Sequence, residues 1–268
     1  MRKPGSGSSC KGVPDLNPLL IVLVVFILVF CSALLGLFIS AMLPDHHLSV
    51  DSKDVVKLSM GLIATMAALV LGLLISSAKN CFDTATSEIQ QSAANIVQLD
   101  NTLMRYGPES KQARSLLQQI IEFRLHRLWP EDAVAPAKLK APRINLIAED
   151  LEECISKLPA QTEAQRERRA RALQISRDLM AMRYLLVAQA SSPLPMPFLC
   201  VLVFWLCILF ASFGLFAPRN ATVIASIMLC ALAVSGSTFL ILEMYYPFDG
   251  LIKVSSAPLQ YALSQLGQ

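Results

Sequence analysis

Residues 59–78 (SMGLIATMAALVLGLLISSA) carry no charge, and the polar stretch after Lys79 contains neither Pro nor Gly until Gly107-Pro108. At about 1.5 Å per residue, such a run makes roughly 30 Å of helix, the hydrocarbon thickness of a bilayer. Apolar period persists beyond Lys79. Phe82, Ala85, Ile89, Ala93, Ile96 and Leu103 fall on one side, and Asp83, Ser87, Gln91, Ala94, Gln98 and Asn101 on another. Stripes at three-to-four spacing predict one helix over residues 57–103 that starts as a membrane span and continues as an amphipathic stalk.

Three further runs can span. Residues 19–43 are free of charge and longer than the core of a signal peptide, and Ile39 stands where a cleavage site needs a small residue. Residues 198–216 and 222–242 are also uncharged, and Ala217-Pro218-Arg219-Asn220 between them forces a tight antiparallel hairpin. Small and hydroxylic residues on the fourth run (Thr222, Ala225, Ser226, Ala231, Ala233, Ser235, Gly236, Ser237, Thr238) favour close helix contact. The 54% apolar content exceeds the roughly 45–50% of a soluble domain and agrees with a membrane protein.

Between the second and third runs, residues 79–192 hold sixteen of the 23 Lys and Arg and fourteen of the 20 Asp and Glu. Apolar period predicts helices over 109–129, 143–158 and 162–190, with a loop over 131–142 where Pro136 and Pro142 fall. Nothing alternates with period two, so no sheet is expected. Arg166, Arg168, Arg169, Arg171 and Arg177 pose a choice between an anionic headgroup site and a solvated helix face with local acidic partners; the latter is the ordinary use of such a face. After the fourth run, Pro247-Phe248-Asp249-Gly250 predicts a turn that docks an amphipathic helix, 257–266, on a neighbour.

The expected organisation is therefore a flexible tail (1–18), spans one and two with a short outer loop (19–78), a helical region (79–192), spans three and four (193–244), and a C-terminal turn and helix (245–268). Four spans return the chain to its starting side. Twenty of the 23 basic residues then share one side, and the positive-inside rule places the tail, the helical region and both termini in the cytoplasm.

Chemistry-bearing constellations are few. The seven cysteines form no CxxC pair, and Gly5-Ser6-Gly7 lacks the strand and the GK[ST] of a phosphate loop. Three histidines offer no catalytic triad: His46 and His47 lie in a loop with Asp45, Asp51 and Asp54, which reads as a solvated connector rather than a metal site, and His126 lies in a helix. No catalytic, cofactor or metal residue is assigned, and an enzyme is not expected. A net charge of +3 is too diffuse for a nucleic-acid partner.

Residues 64–84 (ATMAALVLGLLISSAKNCFDT), 95–109 (NIVQLDNTLMRYGPE), 210–223 (FASFGLFAPRNATV) and 247–268 (PFDGLIKVSSAPLQYALSQLGQ) resemble the bacterial membrane proteins classed as bestrophin-like. The resemblance runs from Leu19 onward. It implies an all-α integral membrane protein with four transmembrane helices, a helical cytoplasmic region between the second and third, and a fivefold assembly whose second helix lines an axial anion pore. Animal bestrophins narrow that pore with bulky apolar residues and bind calcium through an acidic cluster after the fourth span. Here the second helix carries Ala64, Ala68, Gly72 and Ser76, and only Glu243 and Asp249 follow the fourth, too few oxygens for a calcium site.

That small-residue stripe has two uses, close packing on a neighbour or the wall of a conduction path. As a path, its expected lining is Ala64, Thr65, Ala68, Gly72, Ser76, Asn80 and Asp83. Lys79 beside them favours an anion and Asp83 a cation. The expectation is a homo-oligomeric, pentameric anion channel of the bacterial inner membrane, whose partners are further copies of the chain, membrane lipid and inorganic ions. The alternative is a non-conducting scaffold or sensor whose charged segment 162–178 binds a partner.

Overall fold

The computed structural model describes residues 18–42, 50–131, 143–190, 196–218, 220–248 and 250–266. Those residues form α1 (Pro18–Met42), α2 (Val50–Met104), a short 3-10 turn (Pro108–Ser110), α3 (Lys111–Leu128), α4 (Arg143–Ser156), α5 (Glu163–Ala190), α6 (Met196–Phe216), α7 (Ala221–Tyr245) and α8 (Ala257–Gln265). No strand occurs among the described residues. Four of the helices, α1, α2, α6 and α7, are long and apolar enough to cross a membrane. The tail, the connector with His46 and His47, most of the 131–142 loop, and Asp249 lie outside the described residues.

The most visible departure from expectation is the start of α2. It begins at Val50 rather than Lys57, so the second half of the expected connector is helical. No Pro or Gly interrupts VDSKDVV, and Asp51 and Asp54 have the sign that a helix N-terminus favours. Similarly, α7 runs to Tyr245 because Pro247 is the first residue that cannot continue a helix.

The chain divides into two compact units. The first holds α1, α2 as far as Ser77, α6, and α7 as far as Glu243. In it α1 packs along α6. Val25, Val29, Ala33 and Leu37, four apart, bury one face of α1, and Leu202, Leu206, Leu209, Phe210 and Gly214 bury the matching face of α6. Two glycines set the closeness of this pair. A Cβ on Gly36 would overlap the Ala211 carbonyl oxygen and lie 3.0 Å from the Leu215 nitrogen, while a Cβ on Gly214 would overlap the Ala33 carbonyl oxygen and lie 2.9 Å from the Leu37 nitrogen. Each backbone thus rests where the other lacks a side chain, the geometry that small residues permit between membrane helices.

On α7 the small and hydroxylic residues divide. Ala231, Ser235 and Thr238 are buried, whereas Thr222, Ala225, Ser226, Ala233 and Gly236 are exposed. The two buried hydroxyls donate to carbonyls of their own helix, Ser235 to Ala231 at 2.8 Å and Thr238 to Val234 at 3.1 Å, and so enter the apolar packing without an orphan donor.

The second unit holds α2 from Ala78, the helices α3 to α5, and the chain from Met244. Its core takes Ile89, Ile96, Leu99 and Leu103 from α2, Leu117 and Ile121 from α3, Leu151 and Ile155 from α4, Ala172 and Ile175 from α5, and Leu259 and Ala262 from α8. The apolar stripe expected on α2 is this core face: Ala85, Ile89, Ala93, Ile96 and Leu103 are all buried. Within the core, Asp100 is 5% exposed and accepts two hydrogen bonds from one guanidinium, Arg114 Nε at 2.6 Å and Nη2 at 2.9 Å.

Helix ends in this unit are finished by side chains. Thr162 and Gln165 form a capping box at the start of α5: the Gln165 amide donates to Thr162 Oγ1 at 3.2 Å, and Gln165 Oε1 accepts from the Thr162 amide at 3.2 Å. Arg168 donates to the Arg105 carbonyl just past α2, and Arg169 to the Leu158 carbonyl just past α4, at 2.8 and 3.0 Å. Arg166 and Arg177 pair with Glu163 and Glu152, and Arg171 reaches Gln174. Every arginine of the dense cluster therefore has a partner inside the protomer, and two of them stabilise exposed carbonyls at helix C-termini.

The C-terminal segment docks as expected. Gly250 has φ 111°, a value natural to glycine, and the turn closes with the Val254 amide donating to the Pro247 carbonyl at 2.8 Å. Trp129, 4% exposed, donates from its indole nitrogen to the Val254 carbonyl at 2.7 Å and meets Phe248 edge to face with ring centroids 5.8 Å apart. Trp129→Phe keeps most of the apolar contact and loses the donor. The substitution is expected to cost about 1 kcal/mol, measured by chemical denaturation, with faster proteolysis confined to the segment after Tyr246.

Candidate pore-lining face

Within the first unit, α2 buries Ala67 and Leu74, 4% and 3% exposed, and shows its opposite side. Thr65, Ala68, Gly72 and Ser76 are exposed, and Ala64 is half-buried at the margin. A Cβ built on Gly72 meets nothing within 4 Å, in contrast to Gly36 and Gly214. Of the two uses open to the small stripe, close packing inside the protomer is therefore not the one at Gly72. Thr65 turns its hydroxyl proton into its own helix, donating to the Leu62 carbonyl at 2.8 Å, which leaves oxygen lone pairs facing outward.

Leu62, Leu69 and Leu73 flank this face, all more than 60% exposed in the single protomer. Contiguous apolar exposure of that kind marks contact with lipid or with another chain.

Within the second unit, α2 presents Asn80 and Asp83 on its exposed side, followed by Ser87, Gln91, Ala94, Gln98 and Asn101, all exposed. The carboxylate of Asp83 is held by Lys79, one turn earlier, with Nζ and Oδ2 2.5 Å apart and the two side chains 60% and 55% exposed. Asp83 is thus neither a cap nor a bare charge. The i,i+4 spacing of Lys79 and Asp83 is visible in the chain, but weighing each residue for its own sign misses their mutual neutralisation.

Among the described residues no group of three or more His, Cys, Asp or Glu could hold a metal ion. The chemistry on offer along α2 is that of a surface: small side chains, hydroxyl and amide dipoles, and one internally compensated charge pair.

Four apolar helices of spanning length, three further helices inserted between the second and third, and a docked C-terminal helix define a polytopic all-helical membrane protein. The chain belongs to the bestrophin-like family: the family model described as Bestrophin-like domain matches residues 25–259. No curated protein sequence matches it. Among solved structures it is similar to crystal structures of a bacterial bestrophin homologue from Klebsiella pneumoniae. One variant of that homologue shares 16% identity at a TM-score of 0.69, over 93% of this chain and 97% of the other. A second variant gives 15% and 0.67, over 92% and 99%. The homologue phased on zinc gives 15% and 0.62, over 88% and 96%. At such identity the likeness concerns the fold alone.

Proposed function

We propose that the chain assembles as a homo-oligomeric ion channel, a pentamer in the inner membrane of a bacterium, with the exposed face of α2 lining an axial path for anions. The observation that supports this reading best is Gly72. It leaves a gap on a spanning helix where the protomer has nothing to put, beside exposed Thr65, Ala68 and Ser76. Symmetric copies around an axis would turn that face inward and give the path a wall of small groups and dipoles. Ala64 stands at its edge, and Asn80 and Asp83 continue it. Membership of the bestrophin-like family gives further support. In this reading the second unit and both termini lie in the cytoplasm, on the side with the basic residues.

The competing scaffold reading draws on the basic segment within residues 162–178. Two of its arginines, Arg168 and Arg169, are engaged at helix ends of the protomer, which weakens that support.

The test is flux in reconstituted liposomes. Gly72→Leu and Ser76→Leu fill the face with side chains the protomer has room for, so the protein is expected to fold and assemble while anion flux falls by roughly tenfold or more. Unchanged flux in an assembled variant would remove α2 from the wall.

A further inference from the structure

We infer that the Lys79–Asp83 pair keeps the sign preference of the permeant ion weak, each subunit presenting a cation and an anion that offset one another. The inference rests on the channel reading above and names the residues through which such a channel would discriminate charge.

Three observations carry it. The first is isolation. Along α2 the nearest charged side chain before Lys79 is Lys57, and the nearest after Asp83 is Glu88, which is half-buried. At about 100° per residue Glu88 points roughly opposite to Lys79. Asp100 is buried against Arg114. Lys79 and Asp83 are therefore the charges on this side of α2 between Lys57 and the end of the helix, among the described residues.

The second is exposure. Both side chains are more than half exposed, and an ion pair in such a setting is worth on the order of thermal energy, so it opens and re-forms readily. A passing ion therefore meets two charges that can each turn toward it.

The third is orientation. On a helix, an acid placed four residues before a base stabilises more than the reverse, because of the helix dipole. Here the base comes first, the order that stabilises a helix less, so helix stability accounts for the pair only weakly.

In a symmetric assembly the pair becomes two adjacent rings of opposite sign. Rings of charged side chains are a general means of ion selection, and two that cancel leave a weak net preference that removal of either would expose. Asp83→Asn leaves the ammonium ring and favours anions; Lys79→Gln leaves the carboxylate ring and favours cations.

The experiment is the reversal potential of the full-length protein in planar bilayers under a potassium chloride gradient. Relative to the wild type, the chloride-to-potassium permeability ratio is expected to rise by about threefold or more in Asp83→Asn and to fall by a similar factor in Lys79→Gln. The double variant should lie between the single ones. Because both side chains are exposed, no loss of folding is expected, and assembly is confirmed by native mass spectrometry. Conducting variants whose ratios do not move, or move in the same direction, overturn the inference and leave the channel reading standing. A correctly assembled wild type that passes no current overturns both.

Discussion

Gly36→Ala and Gly214→Ala are each expected to destabilise the protein by about 3 kcal/mol, the upper end for overpacking, although both put a better helix former into a helix. The cause is contact between backbones. A methyl group at either position would overlap a carbonyl oxygen of the facing helix, Ala211 in one case and Ala33 in the other, and neither oxygen is the end of a flexible side chain. Relief requires the whole of α1 to move away from α6, which opens the packing of Val29, Ala33, Leu202 and Phe210 together. Gly61→Ala and Gly236→Ala are the controls, since a Cβ at either meets nothing within 4 Å. The measurement is the temperature at which purified protein loses its monodisperse chromatographic peak. The two contact variants should fall well below the wild type, and the controls should match or exceed it, because Gly costs a helix up to about 1 kcal/mol relative to Ala. Equal behaviour of all four would show that α1 and α6 are not in close contact.

Arg114→Met is the second large effect, expected at about 3–5 kcal/mol. It strands the Asp100 carboxylate, whose side chain is 7% exposed, without its counter-charge. The reverse change, Asp100→Asn, should cost less. Arg114 is 24% exposed on its side chain and can reach solvent when its partner is lost. Hydrogen bonding to Asp100 raises the Arg114 pKa further above its already high ordinary value, so the cation persists at any pH at which the protein is handled. A double-mutant cycle in chemical denaturation checks the asymmetry. The double variant Asp100→Asn with Arg114→Met should recover part of the loss, because no buried charge is left over.

Much of this architecture is legible in one chain because the signals are local. Twenty uncharged residues announce a span, and Phe82, Ile89, Ile96 and Leu103 announce a core face at helical spacing. The exposed positions of the candidate path are legible for the same reason, since Thr65, Gly72, Ser76 and Asp83 lie opposite that face. What escapes is either unmarked or distant. Val50 begins α2 with no Pro or Gly nearby, so nothing punctuates the start. Gly36 sits alone in an apolar run and has no periodic partner; its counterpart is Gly214, in another helix. The more conspicuous stripe, Ala64 to Ser76, draws attention to α2 and α7 as the close-packing helices, whereas the tight crossing is between α1 and α6. Asp100 and Arg114 likewise come from separate helices, and only folding shows that they are partners.

The crossing of α1 with α6 also bears on how the chain is made. Gly214 leaves the ribosome about 180 residues after Gly36, a delay on the order of 10–35 s at common rates of synthesis. Throughout that interval, while α2 to α5 are completed, the groove at Gly36 lacks the helix that fills it in the finished fold. A chain stalled or cleaved between α5 and α6 therefore displays an uncovered glycine seam.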